Sequence, residues 1–214
     1  DRQVVNILGQ YIIDDLGLSD AQFGALSGIA FAAVYATVGI PIARWADRGN
    51  RISLVAATTA LLGLALALCG VVSNFFQLLL ARAGVAIGEA GHVPSSQSLL
   101  ADYFDRAERP QAMAYLCTSY PIGMIVGYLL GGWLVDSIGW RNTFLILGIP
   151  GILIALLVKF TLREPRLAKP IRASSDHPSL LTVFNVLWQK PTFRHLMMAF
   201  CTGYFFVMGT SQWI

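Results

Sequence analysis

The chain has 214 residues, of which 56% are apolar and only 13% are charged, and its mean hydropathy is +0.62. Soluble domains carry about 25% charged residues because their surface must be hydrated, so this composition indicates a protein that faces lipid. The net charge of +3 is too small and too dispersed to indicate nucleic-acid binding. The cysteines lie inside apolar runs without metal-site spacing, so we interpret them as packing residues.

The apolar segments are long enough to be membrane spans, because a bilayer core of about 30 Å requires roughly 20 apolar residues per helix. The chain begins with Asp1 and a partial span that ends near Ile13, so we expect that the natural start of the protein is missing. Five complete spans and the start of a seventh follow, at 21–42, 52–72, 76–99, 112–135, 143–160 and from about 193. No alternation with a period of two competes with this pattern, which predicts an all-α membrane protein.

Basic residues are concentrated in alternate loops. Arginines follow spans 2 and 4, and seven lysines and arginines lie between 159 and 194, whereas the opposite loops carry Arg141 and several aspartates. The positive-inside rule places the loops after spans 2, 4 and 6 in the cytoplasm of a multi-pass cell-membrane protein.

The segment between spans 6 and 7 divides the chain. We predict an amino-terminal six-helix bundle over 1–162, a basic cytoplasmic linker over 163–191 and the start of a carboxy-terminal bundle over 192–214. Within the linker, 178–190 has the apolar face of a short interfacial helix. Repeated bundles of this kind are typical of transporters, so the partner that we expect is the protein's own carboxy-terminal half, mostly absent here.

Ionisable residues inside the membrane are the candidates for function. An ionised side chain at a helix centre costs about 2.5–3.5 kcal/mol, so it needs a partner or a hydrated cavity. The helix rise of about 1.5 Å per residue places Asp1 and Arg2 of span 1 at nearly the same depth as Glu89 of span 4. Arg82 shares the face of Glu89, seven residues away. Asn6 and Gln10 lie on one polar arc of span 1 with Arg2.

We interpret these residues as the lining of a polar cavity between spans 1 and 4, with Asp1 and Glu89 as the proton-exchanging carboxylates and Arg2, Arg82, Asn6 and Gln10 as supporting groups. The alternative is a set of static ion pairs that hold the helices together. His92, three residues after Glu89, is interpreted as a packing histidine.

The turn after span 2 reads Ala-Arg-Trp-Ala-Asp-Arg-Gly-Asn-Arg, from Ala43 to Arg51. So many charges in a short turn favour salt bridges at the membrane edge, and we expect Asp47 to cap or complement the start of span 3. A merely solvated basic turn is the alternative. Glycines also recur at i, i+4 and i+8 in span 5, at Gly123, Gly127 and Gly131, which predicts close helix packing.

These features resemble the major facilitator superfamily, whose signature between spans 2 and 3 is similar to G-x-L-x-D-R-x-G-R. Asp47, Arg48 and Arg51 match it and are the implied cytoplasmic gate, whereas Ala43 replaces the first glycine and Asn50 the second. Asparagine tolerates a left-handed backbone, so the turn can form. Further matches are Arg82 with Gly88, the glycine-spaced span 5, Gly139-Trp140-Arg141 opening span 6 and Arg163-Glu164-Pro165 closing it.

Within the superfamily, the chain is similar to the spinster-type branch, whose D-R-x-N-R signature fits Asp47 to Arg51. Leu18 to Gly24, Gly88-Glu89-Ala90, Ala101-Asp102-Tyr103-Phe104 and Gly127-Tyr128 also look spinster-like. The resemblance implies an MFS fold, proton coupling through the intramembrane charges and an amphipathic or lipid-like substrate. Organic-anion:proton symporters of the same superfamily share the Asp-Arg pair of span 1 and Arg-x6-Glu of span 4, and they are the alternative.

The sequence therefore predicts a secondary transporter that moves an amphipathic or anionic small molecule by alternating access, with protons as the coupling ion. A membrane enzyme acting on lipid is a remote alternative, because His92, His177 and His195 are scattered without ligand spacing. We thus expect no catalytic residue, no metal and no cofactor. A non-transporting receptor on the same fold is a third hypothesis.

Overall fold

The computed structural model describes residues 2–165 and 180–211, with the exception of the side chains of residues 2, 3, 47, 48, 180, 181 and 208–211. The described residues are helical almost throughout and form no β-strand. The helices are α1 Arg2–Leu16, α2 Asp20–Gly24, a π-helical segment Ala25–Ile29, α3 Ala30–Arg48, α4 Arg51–Cys69, α5 Phe75–Tyr103, α6 Arg109–Thr161, α7 Leu180–Trp188 and α8 Pro191–Ser211. The prediction of an all-α protein is confirmed.

The helix bounds agree with the predicted spans to within a few residues, apart from the end of span 2, which was predicted at 42 and lies at Arg48. That span comprises α2, the π-helical segment and α3, which follow one another without a break. By length and composition, three described helical segments are long and apolar enough to cross a membrane: Asp20–Ala46, Arg51–Cys69 and Arg109–Thr161. The last of these has 53 residues and contains predicted spans 5 and 6.

The chain reverses direction inside α6 at Gly139. This residue has φ 79° and ψ 165°, a conformation that glycine adopts without steric cost, and it separates a first arm (109–138) from a second arm (140–161). Gly139 thus takes the place of a loop between spans 5 and 6. This agrees with the prediction that Gly139-Trp140-Arg141 opens span 6. Gly17, which follows the end of α1, also has a positive φ of 62°, a conformation that glycine adopts without steric cost.

Helix α4 packs closely against the second arm of α6, and glycines allow this approach. A Cβ added to Gly63 would lie 2.7 Å from the carbonyl oxygen of Gly148 and 2.8 Å from the amide nitrogen of Ile152. A Cβ on Gly151 would lie 2.9 Å from Cα of Gly63. The backbones of the two helices are therefore in direct contact at this crossing, with no side chain between them.

The predicted packing glycines of span 5 lie on the first arm of α6. A Cβ on Gly131 would meet Ile7 of α1 at 3.6 Å, and one on Gly127 would meet Val4 at 4.0 Å. Around Gly123, nothing among the described residues lies within 4 Å of such a Cβ. Gly127 and Gly131 therefore face α1 at ordinary contact distance, and the packing role of Gly123 stays a prediction.

The chain divides into two compact units, Asp1–Pro170 and Ile171–Ile214. In unit 1, the core is built from one face of α1 together with inward-facing residues of α4, α5 and α6, including Leu8, Ile12, Val85 and Phe144. In unit 2, α7 and α8 are described. Helix α7 falls within the predicted interfacial helix, and its exposed Phe184 and Trp188 rings stack on each other. The predicted boundaries at 162 and 191 stay predictions.

Candidate functional site

Helix α5 carries the two predicted intramembrane charges on one face. A neighbouring face of the same helix lies against α4, since a Cβ on Gly88 would be 2.8 Å from the carbonyl oxygen of Thr58 and from the nitrogen of Leu62. At about 100° per residue, Glu89 and Arg82 lie roughly 100° and 120° from Gly88, or about a third of a turn from that contact. The glycine face of α5 therefore fixes which way the charged face points.

Arg82 is buried deep within unit 1, with only 2% of its surface exposed. Its guanidinium carbon lies 5.0 Å from the ring centroid of Phe31 on α3, at the distance of a cation–π contact. Glu89 is half-buried and is the middle residue of α5, fourteen residues from Phe75 and fourteen from Tyr103. The structure thus places a cation within the bundle and a carboxyl group at the centre of a long helix.

The predicted partners on span 1 are only partly described. Asp1 and the side chain of Arg2 lie outside the described residues. Asn6 and Gln10 are exposed, on the side of α1 that faces away from the core residues Leu8 and Ile12, and Gln10 donates to the carboxylate of Asp14 at 2.8 Å. A shared cavity between α1 and α5 therefore stays a prediction.

The gate motif leads to a buried ion network at one end of unit 1. We name this the basic end, where α3, α5 and α6 finish and α4 begins. Asn50 caps α4 by accepting from the amide of Ser53 at 2.9 Å, and Arg51 is the first residue of the helix. Asn50 and not Asp47 is therefore the N-cap residue of α4, and the other predicted role of Asp47, to complement the positive start of this helix, stays a prediction because its side chain lies outside the described residues. Asn50 takes the cap position with an extended backbone (φ −76°), not a left-handed one.

The partner of Arg51 is Glu164, just beyond the end of α6. Arg51 is 0% exposed and Glu164 7%. The carboxylate of Glu164 accepts from the backbone amide of Arg51 at 2.7 Å and from its Nε at 3.2 Å. An acidic group at the first helical amide also complements the positive end of the helix dipole. Glu164 thus neutralises both the guanidinium and the start of α4.

Helix α5 completes this network. Nη2 of Arg51 lies 2.7 Å from the carboxylate of Asp102, which is 37% exposed, and Nη1 donates to the carbonyl oxygen of Ser98 at 2.9 Å. Next to it, the Tyr103 hydroxyl donates to the carbonyl oxygen of Arg163 and accepts from its amide. One guanidinium therefore joins the ends of α4, α5 and α6.

The sequence prediction found Arg51 but not its acidic partners. The available signal was that Asp102 lies in a short run similar to the spinster branch and Glu164 in one similar to the superfamily. The positive-inside rule uses mainly lysine and arginine, so it gave these two acidic residues no role. The side chains of Asp47 and Arg48 lie outside the described residues. Their predicted part in a gate is therefore untested, whereas Arg51 is placed in a buried network.

The opposite end of unit 1, where α1 and α4 finish and Gly139 turns the chain, is named the acidic end. Arg141 forms a salt bridge with Asp15, donates to the carbonyl oxygen of Val72 at 3.3 Å and lies over the ring of Trp140. The Tyr11 hydroxyl donates to Asp136 at 3.1 Å. These contacts tie α1 to both arms of α6.

We expect Asp15→Asn to lower the free energy of unfolding by at most about 1 kcal/mol, because exposed ion pairs contribute little. The Asp15 and Arg141 side chains are 43% and 40% exposed. A denaturant titration of the purified protein measures the change, with Asp20→Asn as the matched control at the same end. A loss of several kcal/mol would show that the pair is structurally important despite its exposure.

Comparison with known proteins identifies the family. The sequence model of the Major Facilitator Superfamily matches residues 1–214. A protein of Mycolicibacterium smegmatis named MFS-type efflux pump is 40% identical over 158 residues, which cover 74% of this chain and 37% of that protein. The probable L-galactonate transporter of Escherichia coli K12 is 30% identical over 156 residues, covering 73% of this chain and 34% of the relative.

Solved structures agree with this result. The inward-facing, occupied structure of a bacterial homologue of the human lysosomal transporter Spinster is 38% identical and matches with a TM-score of 0.72, covering 77% of this chain and 41% of that one. The chain therefore belongs to the Major Facilitator Superfamily and is a multi-pass membrane protein, and its predicted resemblance to the spinster branch is confirmed. The relatives and the solved structure named here are transporters by their names, and the chain has their fold rather than that of an enzyme. It spans little more than a third of the length of the two relatives.

Proposed function

We propose that the chain forms the amino-terminal half of a proton-coupled secondary transporter, which moves an amphipathic or anionic small molecule by alternating access. A lipid-like substrate is favoured. Family membership and the transporter names of the relatives support transport in general. The observation that carries proton coupling is the half-buried carboxyl group of Glu89 at the centre of α5, on the face that also bears the buried Arg82.

Glu89 is suited to exchange protons because its charge is costly at this depth. In its ionised form it needs water or a cation nearby, and in its protonated form it crosses the bilayer centre with a much smaller penalty. Asp1 would share this role, and Arg82 and Arg2 would tune the carboxylates or hold an anionic head group. Asn6 and Gln10 would line the same path from α1. The resulting change of charge is what biases one conformation of the bundle over the other.

The proposal includes an orientation and a partner. The basic end lies in the cytoplasm and the protein in the cell membrane, as the positive-inside rule indicates. The gate residues Asp47, Arg48 and Arg51 therefore act on the cytoplasmic side. Alternating access rocks one bundle against another around a midplane site, so the partner is a carboxy-terminal bundle of the same protein.

An organic-anion:proton symporter is the second candidate function. The relative of E. coli named for L-galactonate favours it, because that sugar acid is an anion and not a lipid. The same arginines would then bind a carboxylate directly. The two candidates differ in substrate and share the coupling carboxyl group.

Replacing Glu89 with glutamine is expected to abolish pH-driven uptake. The full-length protein in proteoliposomes is given an imposed pH gradient, and uptake of a radiolabelled lysophospholipid and of radiolabelled L-galactonate is measured in parallel. We expect uptake by Glu89→Gln to fall to the level of protein-free liposomes, because the amide does not titrate. Glu108→Gln, at an exposed position between α5 and α6, is the matched control and is expected to behave as wild type.

The outcomes separate the hypotheses. Lysophospholipid uptake supports the lipid-like substrate, and galactonate uptake supports the organic-anion alternative. Full pH-driven uptake by Glu89→Gln would show that this residue does not couple protons. Saturable binding of either probe without flux in the wild type would instead favour a receptor.

A further inference from the structure

Phe31 of α3 lies against the buried cation on the charged face of α5, the face that bears Arg82 and Glu89. The guanidinium carbon of Arg82 is 5.0 Å from the centroid of the Phe31 ring, and the two residues are 2% and 4% exposed. A cation is attracted to the negative face of an aromatic ring, and the attraction is stronger where water is excluded. The guanidinium group is weakly hydrated and therefore suited to such a contact.

The ring of Phe31 is held by its own helix and by the core. Tyr35, one turn further along α3, stacks on it with ring centroids 6.3 Å apart and planes 20° apart. Phe31 also belongs to the core cluster that contains Leu26 of span 2 and Val85 of α5. Close packing limits the rotamers of a buried side chain. Phe31 therefore presents a fixed surface to the long and flexible side chain of Arg82.

The π-helical segment Ala25–Ile29 sets the direction in which Phe31 points. The amide of Ala30 donates to the carbonyl oxygen of Ala25, five residues earlier, where an α-helix uses four. In a regular α-helix, two residues five apart point about 140° away from each other. Leu26 and Phe31 have this spacing, yet both are buried in the core. Single π-helical turns are frequent at functional sites, and this one ends two residues before the ring that contacts the buried cation.

An aromatic partner preserves the charge of the site. A carboxylate in contact with a guanidinium cancels its charge, whereas a ring stabilises the cation through its quadrupole and carries no net charge. Phe31 thus lowers the cost of burying Arg82 and leaves its positive charge intact. Glu89 lies seven residues away on the same face of α5, so this charge is kept two turns from the proposed coupling carboxyl group.

We propose that Phe31 is a positioning residue for Arg82, and that its ring holds the guanidinium where it binds the anionic group of the transported molecule. The proposal rests on the proposed function, since it specifies how one residue of the transport path is oriented. Phe31 acts through Arg82 and not by touching the transported molecule. The affinity for that molecule therefore depends on the electron density of a ring on a neighbouring helix.

Fluorination of the ring tests the contact with little change of size. Phenylalanine with one, two or three fluorine atoms is incorporated at position 31 of the full-length protein by amber suppression, and the folding equilibrium is measured by SDS titration. Fluorine withdraws electron density from the ring face, so we expect the folding equilibrium constant to fall stepwise, by about tenfold for the trifluorinated ring. In the Arg82→Met variant, the matched control, the same series is expected to show no trend.

A binding measurement tests whether the contact orients Arg82 for the substrate. Dissociation constants of radiolabelled lysophosphatidylglycerol and L-galactonate, both anions, are measured on the same fluorinated proteins. For the anion that binds, we expect the dissociation constant to rise stepwise, by about fivefold for the trifluorinated ring. The same series at Phe23, a half-buried residue of span 2 whose ring lies against Gly9 of α1, is the control and is expected to bind as wild type.

The possible results separate a positioning role from packing. Equal trends with and without Arg82, or no trend in either, would show that Phe31 acts only by packing and would overturn the proposal. A stepwise loss of stability with unchanged dissociation constants would confine the contact to the fold and overturn the positioning role. If neither anion binds to the wild type, the proposed substrate classes are wrong, whereas a stability trend that disappears in Arg82→Met still supports Phe31 as a residue that holds Arg82.

Discussion

Replacing Glu164 with glutamine is expected to lower the free energy of unfolding by about 3 kcal/mol. Loss of one partner from a buried ion pair costs about 3–5 kcal/mol, because the remaining charge is left in a medium of low polarity. The lower end of that range applies here, since Arg51 keeps its contact with Asp102. The glutamine also carries no charge to complement the start of α4.

The measurement is a titration of the purified full-length protein with SDS in mixed micelles, followed by tryptophan fluorescence. Asp102→Asn is the graded comparison, and we expect it to cost about 1 kcal/mol because the Asp102 side chain is 37% exposed. Lys159→Met is the control at the same end, where the exposed lysine donates to the Ser53 hydroxyl at 2.7 Å. It is expected to change stability by less than about 0.5 kcal/mol.

A double substitution separates charge from packing. Arg51→Met combined with Glu164→Met removes both buried charges, and well-packed apolar replacements of buried ion pairs are often neutral. We expect the double variant to be more stable than either single one. If the two single effects simply add, the residues do not act as a pair and the account of the basic end is wrong.

Replacing Gly63 with alanine is expected to destabilise the bundle by about 3 kcal/mol, and Gly63→Leu to prevent its assembly. The alanine Cβ would lie 2.7 Å from the carbonyl oxygen of Gly148 and 2.8 Å from the nitrogen of Ile152. Both are backbone atoms, so α4 and the second arm of α6 must move apart. Overpacking of a tight contact costs about 1–3 kcal/mol, and separating two helix backbones lies at the upper end of that range.

The matched control is Gly132→Ala on the first arm of α6, because nothing among the described residues lies within 4 Å of its Cβ position. That substitution is expected to be neutral or to stabilise by up to about 1 kcal/mol through helix propensity. The same SDS titration measures both variants. Equal stability of Gly63→Ala and wild type would show that the crossing of α4 and α6 is looser than the structure indicates.

The helices were predictable because the length of an apolar segment is a local property of the sequence. Spans 3 to 6 appear within a few residues of their predicted bounds, and Gly139 was recognised as the opening of span 6. The N-cap at Asn50 was not predicted, although asparagine is a preferred N-cap residue. The family signature favoured Asp47 and a left-handed turn, whereas the local hydrogen bond from the amide of Ser53 to Asn50 decides the conformation.

The contacts between helices were not predictable in the same way. Arg51 and Glu164 are 113 residues apart, and only the convergence of α4 and α6 brings them together. Gly63 likewise gives no periodic signal in α4, and its importance comes from Gly148 and Gly151 on a neighbouring helix. The regular glycines of span 5 were predicted to pack because their i, i+4, i+8 spacing can be read within one segment of the sequence. A single sequence thus indicated the charged candidates, but not their partners.

The single-residue reversal at Gly139 determines where the protein can be labelled. Between the two arms of α6 there is no loop to lengthen, because helical residues stand on both sides of Gly139. An epitope or fluorophore inserted there would unwind helix ends whose Tyr11–Asp136 and Arg141–Asp15 contacts join α1 to α6. The exposed stretch between α5 and α6, at 104–108, is expected to tolerate such an insertion. Reporters of sidedness therefore belong at the basic end.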